Sequence, residues 1–251
     1  MAPQPSVLVE PDLERLPRAV AEELVARLAD AQATHGTASV VLTGGGVGIA
    51  VLEQVAAVTG DRVDWSAVDV WWGDERFVPA DDDERNEKAA RRALLDVVSV
   101  PQERVHPMPP SDGPFAEPED AAAWYAGELA SAAPLGRDLP RFDVLLLGIG
   151  PEGHTASIFP GSPAARDERP VFAVRNCPKP PPTRVSLGFT AINSADEVWL
   201  VVAGEEKAPV VAQALAGADA MEVPAAGVLG TRATQWWLDR AAASNLPDRS
   251  R

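Results

Sequence analysis

Apolar residues recur at three- and four-residue steps from Leu13 through Leu16, Val20, Leu24, Leu28 and Ala31. This predicts a helix over residues 11–34, with Pro11 in its first turn and His35-Gly36 closing it. The pattern then changes. Residues 39–43 are a short buried strand that runs into Gly44–Gly48, and a helix over about 47–58 follows, closed by Gly60. Residues 65–72 read as the next strand, giving a βαβ unit with parallel strands and a right-handed crossover. A helix is expected over about 84–98, with Glu84/Lys88 and Glu87/Arg91 as i,i+4 pairs on its wet face. Residues 101–118, rich in Pro, Ser and Gly, read as a long loop within one domain, because the sheet pattern resumes after them. A helix over 119–133 leads to strand 142–147, apolar throughout as befits a strand covered on both faces. Lys179-Pro-Pro-Pro182 is stiff and extended. Strands at 185–189 and 197–203, a helix at 205–215 and a late edge strand at 234–238 complete the reading. The alternation predicts an α/β fold with a single doubly wound, mostly parallel sheet flanked by helices, Rossmann-like, with late antiparallel edge strands. One unit is expected over residues 1–251, with its core at about 10–240.

Composition narrows the functional classes. The chain has 251 residues, 37 acidic and 22 basic, for a net charge of −15. Like charge argues against a nucleic acid or an anionic membrane as partner. The single cysteine, Cys177, excludes an internal disulfide and a Cys/His zinc framework. The opening MAPQPSVLVEPDLERL has no basic n-region or apolar h-region, and no apolar run approaches the ~20 residues of a spanning helix. A cytoplasmic, monomeric protein acting on a small molecule is the expectation. Lysine is scarce (Lys88, Lys179 and Lys207), as is histidine (His35, His106 and His154).

In open α/β sheets ligands bind beyond the carboxyl ends of the strands. Four strands here end in glycine turns: Thr43-Gly44-Gly45-Gly46, Gly73-Asp74-Glu75-Arg76, Gly148 through His154 to Ser157, and Gly204-Glu205-Glu206-Lys207. If the strands are parallel, these loops share one edge. Gly44–Gly46 leads into a helix N-terminus, where bare amides and the helix dipole favour an anion such as phosphate. It lacks the dinucleotide glycine spacing, since Ile49 stands where a third glycine belongs. Gly148–Thr155 matches a P-loop except that His154 replaces the lysine, which argues against an NTPase. His154 is the candidate general base, and Glu152 can orient its ring. Arg76 and Lys207 can clamp a phosphate, and Arg184 reaches the same edge if its strand is antiparallel. Backbone amides of the Gly148–Gly153 turn are candidates for an oxyanion site. His35 and His106 read as structural, Asp81–Asp83 as a solvated acidic loop, and the pairs Trp71-Trp72 and Trp236-Trp237 as packing. Ser157 has no nucleophile elbow around it.

Three blocks carry a resemblance: W71-W-G-D-E-R-F-V-P79 with Asn86; L147-G-I-G-P-E-G-H-T-A-S-I-F-P-G161; and P180-P-P-T-R-V-S-L187 continuing through A191-I-N-S-A195 to V202-A-G-E-E-K-A208. In family order over about residues 10–240, they resemble the glucosamine-6-phosphate isomerase/6-phosphogluconolactonase family, on its lactonase side. The resemblance implies hydrolysis of 6-phospho-D-glucono-1,5-lactone to 6-phospho-D-gluconate, in the oxidative pentose phosphate pathway, without metal or organic cofactor. By the same resemblance, His154 matches the general base with Glu152 beside it. Gly44, Gly45, Gly46, Asp74, Arg76, Arg184 and Lys207 match positions that hold the substrate and its phosphate. Three departures stand out: Gly46-Val47-Gly48 replaces the usual Ser/Thr-Pro, Glu152 replaces an aspartate, and Arg85 precedes Asn86 where serine is common.

Two alternatives remain. The deaminase/isomerase branch of the family typically continues the histidine loop with Ala-Phe-Asn-Glu-Pro, whereas this chain has Ala156-Ser-Ile-Phe-Pro160, without an acid. A non-catalytic sugar-phosphate-binding domain tied to transcription would need a DNA-binding module, for which the residues before the first strand are too few.

Overall fold

The computed structural model describes residues 4–247, so the outermost ends of the expected 1–251 unit lie outside the described residues. The strands are β1 (Ser6–Glu10), β2 (Ala38–Leu42), β3 (Val68–Trp72), β4 (Asp74–Arg76), β5 (Val144–Leu147), β6 (Val171–Val174), β7 (Arg184–Leu187), β8 (Glu197–Val202) and β9 (Ala233–Asp239). The α-helices are α1 (Arg15–His35), α2 (Gly45–Val58), α3 (Asn86–Ala90), α4 (Asp96–Val98), α5 (Pro118–Ser131), α6 (Phe189–Ile192) and α7 (Ala208–Leu215). A π-helical segment, Arg91–Leu95, joins α3 to α4 within the helix expected over 84–98.

Six strands form one sheet in the order β1-β9-β8-β5-β2-β3, with every neighbouring pair parallel. This is the α/β architecture the sequence pattern predicts. Side chains on a strand alternate between faces, so adjacent tryptophans enter different cores. Trp71 and Trp236 join the apolar layer under α5, α6 and α7, whereas Trp72 and Trp237 join the layer under α1, α2 and the π segment. Both tryptophan pairs are thus packing residues. Their buried rings supply the large apolar area that holds helices on both faces.

The antiparallel pairing is not at the end of the large sheet. It forms a separate three-stranded sheet, β4-β7-β6. Gly73 joins β3 to β4, donating its N–H to the Leu42 carbonyl and accepting from the Leu187 N–H. The small sheet is therefore hung directly on the carboxyl edge of the large one. The expected edge strand at 234–238 is corrected: β9 is interior, because β1 pairs along it from Ser6↔Gln235 to Glu10↔Asp239. Helix α1 also starts later than predicted. Asp12 Oδ1 accepts from the N–H groups of Glu14 and Arg15, making a turn of its own, and Leu13 stays exposed. On the helix expected over 84–98, Glu87 pairs with Arg91 as predicted, but Lys88 turns to Asp83 in the acidic loop instead of Glu84.

Candidate active site

The sheet order reverses between β2 and β5: the chain steps from β2 outward to β3, then returns to β5 on the other side. That switch point leaves a crevice at the carboxyl ends of the strands. A cleft of about 590 Å³ occupies it. Gly44, Gly45, Gly46, Asp74, Arg76, His154, Arg184 and Lys207 all line this cleft. Glu152 stands behind His154. His35 and His106 are elsewhere; His106 is stacked on Trp71 with centroids 3.8 Å apart and holds Asp69.

The β2 end is built for close backbone approach. A Cβ on Gly44 would lie 1.9 Å from Asn86 Oδ1, so only glycine fits beside that side chain. Gly45 takes φ +80°, a left-handed conformation that favours glycine, and opens α2. The N–H groups of that first turn lack intrahelical acceptors, and residues 44–48 line the cleft. Asn86 in turn donates Nδ2–H to the Asp74 carbonyl at 2.9 Å. Glu75 organises this corner from below. Its carboxylate accepts from the N–H groups of Arg76, Asn86 and Glu87, each at 2.8 Å. Burial pushes the Glu75 pKa up, against the opposing pull of Arg85 and those three amides. Arg85, the departure noted beside Asn86, is a fully buried strut. Its Nη2 reaches the Met108 carbonyl at 2.7 Å and Glu87 at 3.0 Å.

The β5 end carries the titratable pair. His154 Nδ1 lies 2.8 Å from Glu152 Oε1, and the imidazole stacks on Phe159 at 4.5 Å. A carboxylate facing Nδ1 favours the tautomer with the proton on Nδ1, which leaves Nε2 with its lone pair. Burial holds the His154 pKa below its ordinary value, with Glu152 pulling it upward and Lys179 downward. Glu152 stays below the usual glutamate range: burial acts to raise it but is outweighed by its own backbone N–H, His154 and Lys179. Gly150 makes room for the pair, since a Cβ there would lie 2.2 Å from His154 Nδ1 and 2.6 Å from Glu152 Oε2.

The oxyanion expectation for this turn needs correction at three amides. Gly148 N–H donates to Thr43 Oγ1, Gly150 N–H to the His154 carbonyl and Gly153 N–H to the Gly150 carbonyl. A tight turn satisfies its own donors, which makes the loop rigid and leaves those groups unavailable. Ser157 is likewise engaged: its hydroxyl donates to Asp74 Oδ2 at 2.6 Å and is fully buried.

The cations come from three elements. Arg76 on β4 reaches the Glu84 carbonyl and lies 3.7 Å from the Glu84 carboxylate. Lys207 lies at the start of α7 and makes no ion pair among the described residues. Strand β7 is antiparallel to β4, so Arg184 does reach the cleft edge. It is buried, donates to the carbonyls of Lys179, Pro180 and Pro181, and lies 3.7 Å from Asp74 Oδ2. Sequence reasoning missed Lys179 as a site residue: the proline segment brings its Nζ to 3.3 Å from Glu152 Oε2. It also missed Asn86 and Asp239 as site-shaping groups. Asp239 accepts the Gly204 N–H and so anchors the turn before Lys207.

The chain matches the family model described as glucosamine-6-phosphate isomerases/6-phosphogluconolactonase over residues 11–237. It is 50% identical to a 6-phosphogluconolactonase of Streptomyces coelicolor over 252 residues, 98% of this chain and 97% of the relative. It is 51% identical to one of Mycobacterium tuberculosis over 244 residues, 96% of this chain and 98% of the relative. The solved 6-phosphogluconolactonase of Trypanosoma brucei superposes with a TM-score of 0.83 at 30% identity, covering 97% of this chain and 99% of that one. A monomeric glucosamine-6-phosphate deaminase shares the fold, with a TM-score of 0.80 at 20% identity. On sequence and structure together, the chain belongs to the glucosamine-6-phosphate isomerase/6-phosphogluconolactonase family.

Proposed function

We propose that this chain hydrolyses 6-phospho-D-glucono-1,5-lactone to 6-phospho-D-gluconate, in the oxidative pentose phosphate pathway, with His154 as general base. The observation that carries the reading is the 2.8 Å contact of His154 Nδ1 with Glu152 beside a cleft lined by cations. With Nδ1–H held by the carboxylate, Nε2 takes a proton from water and the resulting hydroxide adds to the lactone carbonyl. The C1–ring oxygen bond then breaks, the imidazolium returns its proton to the ring oxygen, and the carboxylic acid formed ionises into solvent. Arg76, Lys207 and the amides of the Gly44–Gly46 turn hold the phosphate, with Arg184 and Asp74 framing the sugar between phosphate and base. Phosphate binding remote from the carbonyl fixes the geometry of attack. The loop after His154 offers buried Ile158 and Phe159 and no carboxylate, which supports the lactonase over the deaminase.

Acid release from freshly generated lactone tests the proposal. His154→Ala should lower kcat by roughly 10²-fold or more with the fold retained by circular dichroism. Undiminished kcat in that folded variant removes His154 from the role, and ammonia release from glucosamine 6-phosphate by the unaltered protein favours the deaminase branch.

A further inference from the structure

We propose that Lys179 is a positioning residue for the base: the proline segment holds its ammonium over Glu152, so that one carboxylate is shared between Lys179 and His154 and the imidazole is kept neutral with its proton on Nδ1. This rests on the reading of His154 as general base. The two oxygens of Glu152 are divided between the partners, Oε1 at 2.8 Å from His154 Nδ1 and Oε2 at 3.3 Å from Lys179 Nζ. Among the described residues Glu152 pairs with these two alone. The reach of Lys179 is set by its backbone. Arg184, buried beneath it, donates to the carbonyls of Lys179, Pro180 and Pro181, and Cys177 N–H closes the loop onto the Pro182 carbonyl at 2.9 Å.

A lone carboxylate beside an imidazole favours the protonated ring, which cannot act as a base. The added cation offsets that pull and keeps the carboxylate ionised, so the ring is oriented without being charged. Burial and Lys179 hold the His154 pKa down, and Lys179 also contributes to the lowered Glu152 pKa. The other charged groups of this cleft are Asp74, which acts upward on the ring, Arg184, whose guanidinium lies 6.0 Å from the Phe159 ring that stacks on the imidazole, and Arg76, Lys207, Glu206 and Asp239 farther along the lining.

The test is an NMR titration of the His154 ring, assigned by the signal lost in His154→Ala, run beside kcat/KM against pH. In Lys179→Met and Lys179→Gln the midpoint of His154 should rise by about half a pH unit, a scale limited by the partial exposure of the lysine. The acid limb of kcat/KM should move up with it. Lys179→Arg should restore both. An unmoved midpoint in the two neutral variants, or a midpoint in Lys179→Arg equal to theirs, overturns the proposal. The titration needs no turnover, so it separates this inference from the general-base reading, which the kcat of His154→Ala decides by itself.

Discussion

Arg76 and Arg184 are direct cross-strand partners, one on β4 and the other on β7. Like charges placed opposite each other weaken a sheet, so each needs its own counterweight. Arg76 has the exposed acidic loop through Glu84, whereas Arg184 has three backbone carbonyls and Asp74. The two therefore differ in what their loss should do. Arg184→Met strands buried acceptors and should cost about 2–4 kcal/mol, lowering Tm by roughly 5–15 °C in thermal melts. Arg76→Met should change Tm little and raise KM for the phosphorylated lactone by about 10-fold or more, with a smaller effect on kcat.

The pH profile of kcat/KM should extend to the acid side of an ordinary histidine. Burial and Lys179 depress the His154 pKa from its usual 6.5, so the neutral imidazole that the proposed mechanism needs persists as pH falls. Activity should decline only as pH passes down through that lowered value. A half-maximal point on the acid limb at or above 6.5 would contradict the site as described.

Replacing Glu152 should separate orientation from charge. Glu152→Gln removes the anion that pulls the imidazole upward, so the acid limb should move to still lower pH. The amide no longer enforces the Nδ1–H tautomer, so kcat should fall by about 10- to 100-fold. Rate measurements across pH resolve the two effects, because one moves the limb and the other lowers the plateau.

Gly150→Ala should act as an active-site lesion in a position that carries no chemistry. Its methyl would occupy space 2.2 Å from His154 Nδ1, forcing the ring off Glu152. We expect kcat to drop at least 10-fold with KM nearly unchanged, and the His154 titration to shift away from that of the unaltered protein.

The cleft was legible because glycine turns at successive strand ends carried rare residues: His154 among three histidines and Lys207 among three lysines. Parallel pairing then brought them together, as the alternating pattern predicts. Lys179 was not legible, because its relation to Glu152 depends on how a proline segment folds back under Arg184, a contact with no periodic signature. The amides of the histidine turn misled for a related reason: a glycine-rich loop can as readily bond to itself as to a ligand, and only its closed hydrogen bonds decide. Strand β1 is not legible, since its five residues of mixed exposure show no clean alternation, and without it the sequence pattern leaves β9 at an edge.

That first strand has a consequence for solubility. The far border of the large sheet is screened where His106 N–H donates to the Val70 carbonyl on β3. At the opposite border, among the described residues, β1 is the strand that pairs along β9, whose Trp236, Trp237 and Leu238 are buried. A chain begun after Glu10 would present β9 as an open, tryptophan-rich template for strand addition by another molecule. Concentration-dependent light scattering from such a truncation, absent from the intact chain, would identify the opening segment as the guard against self-association.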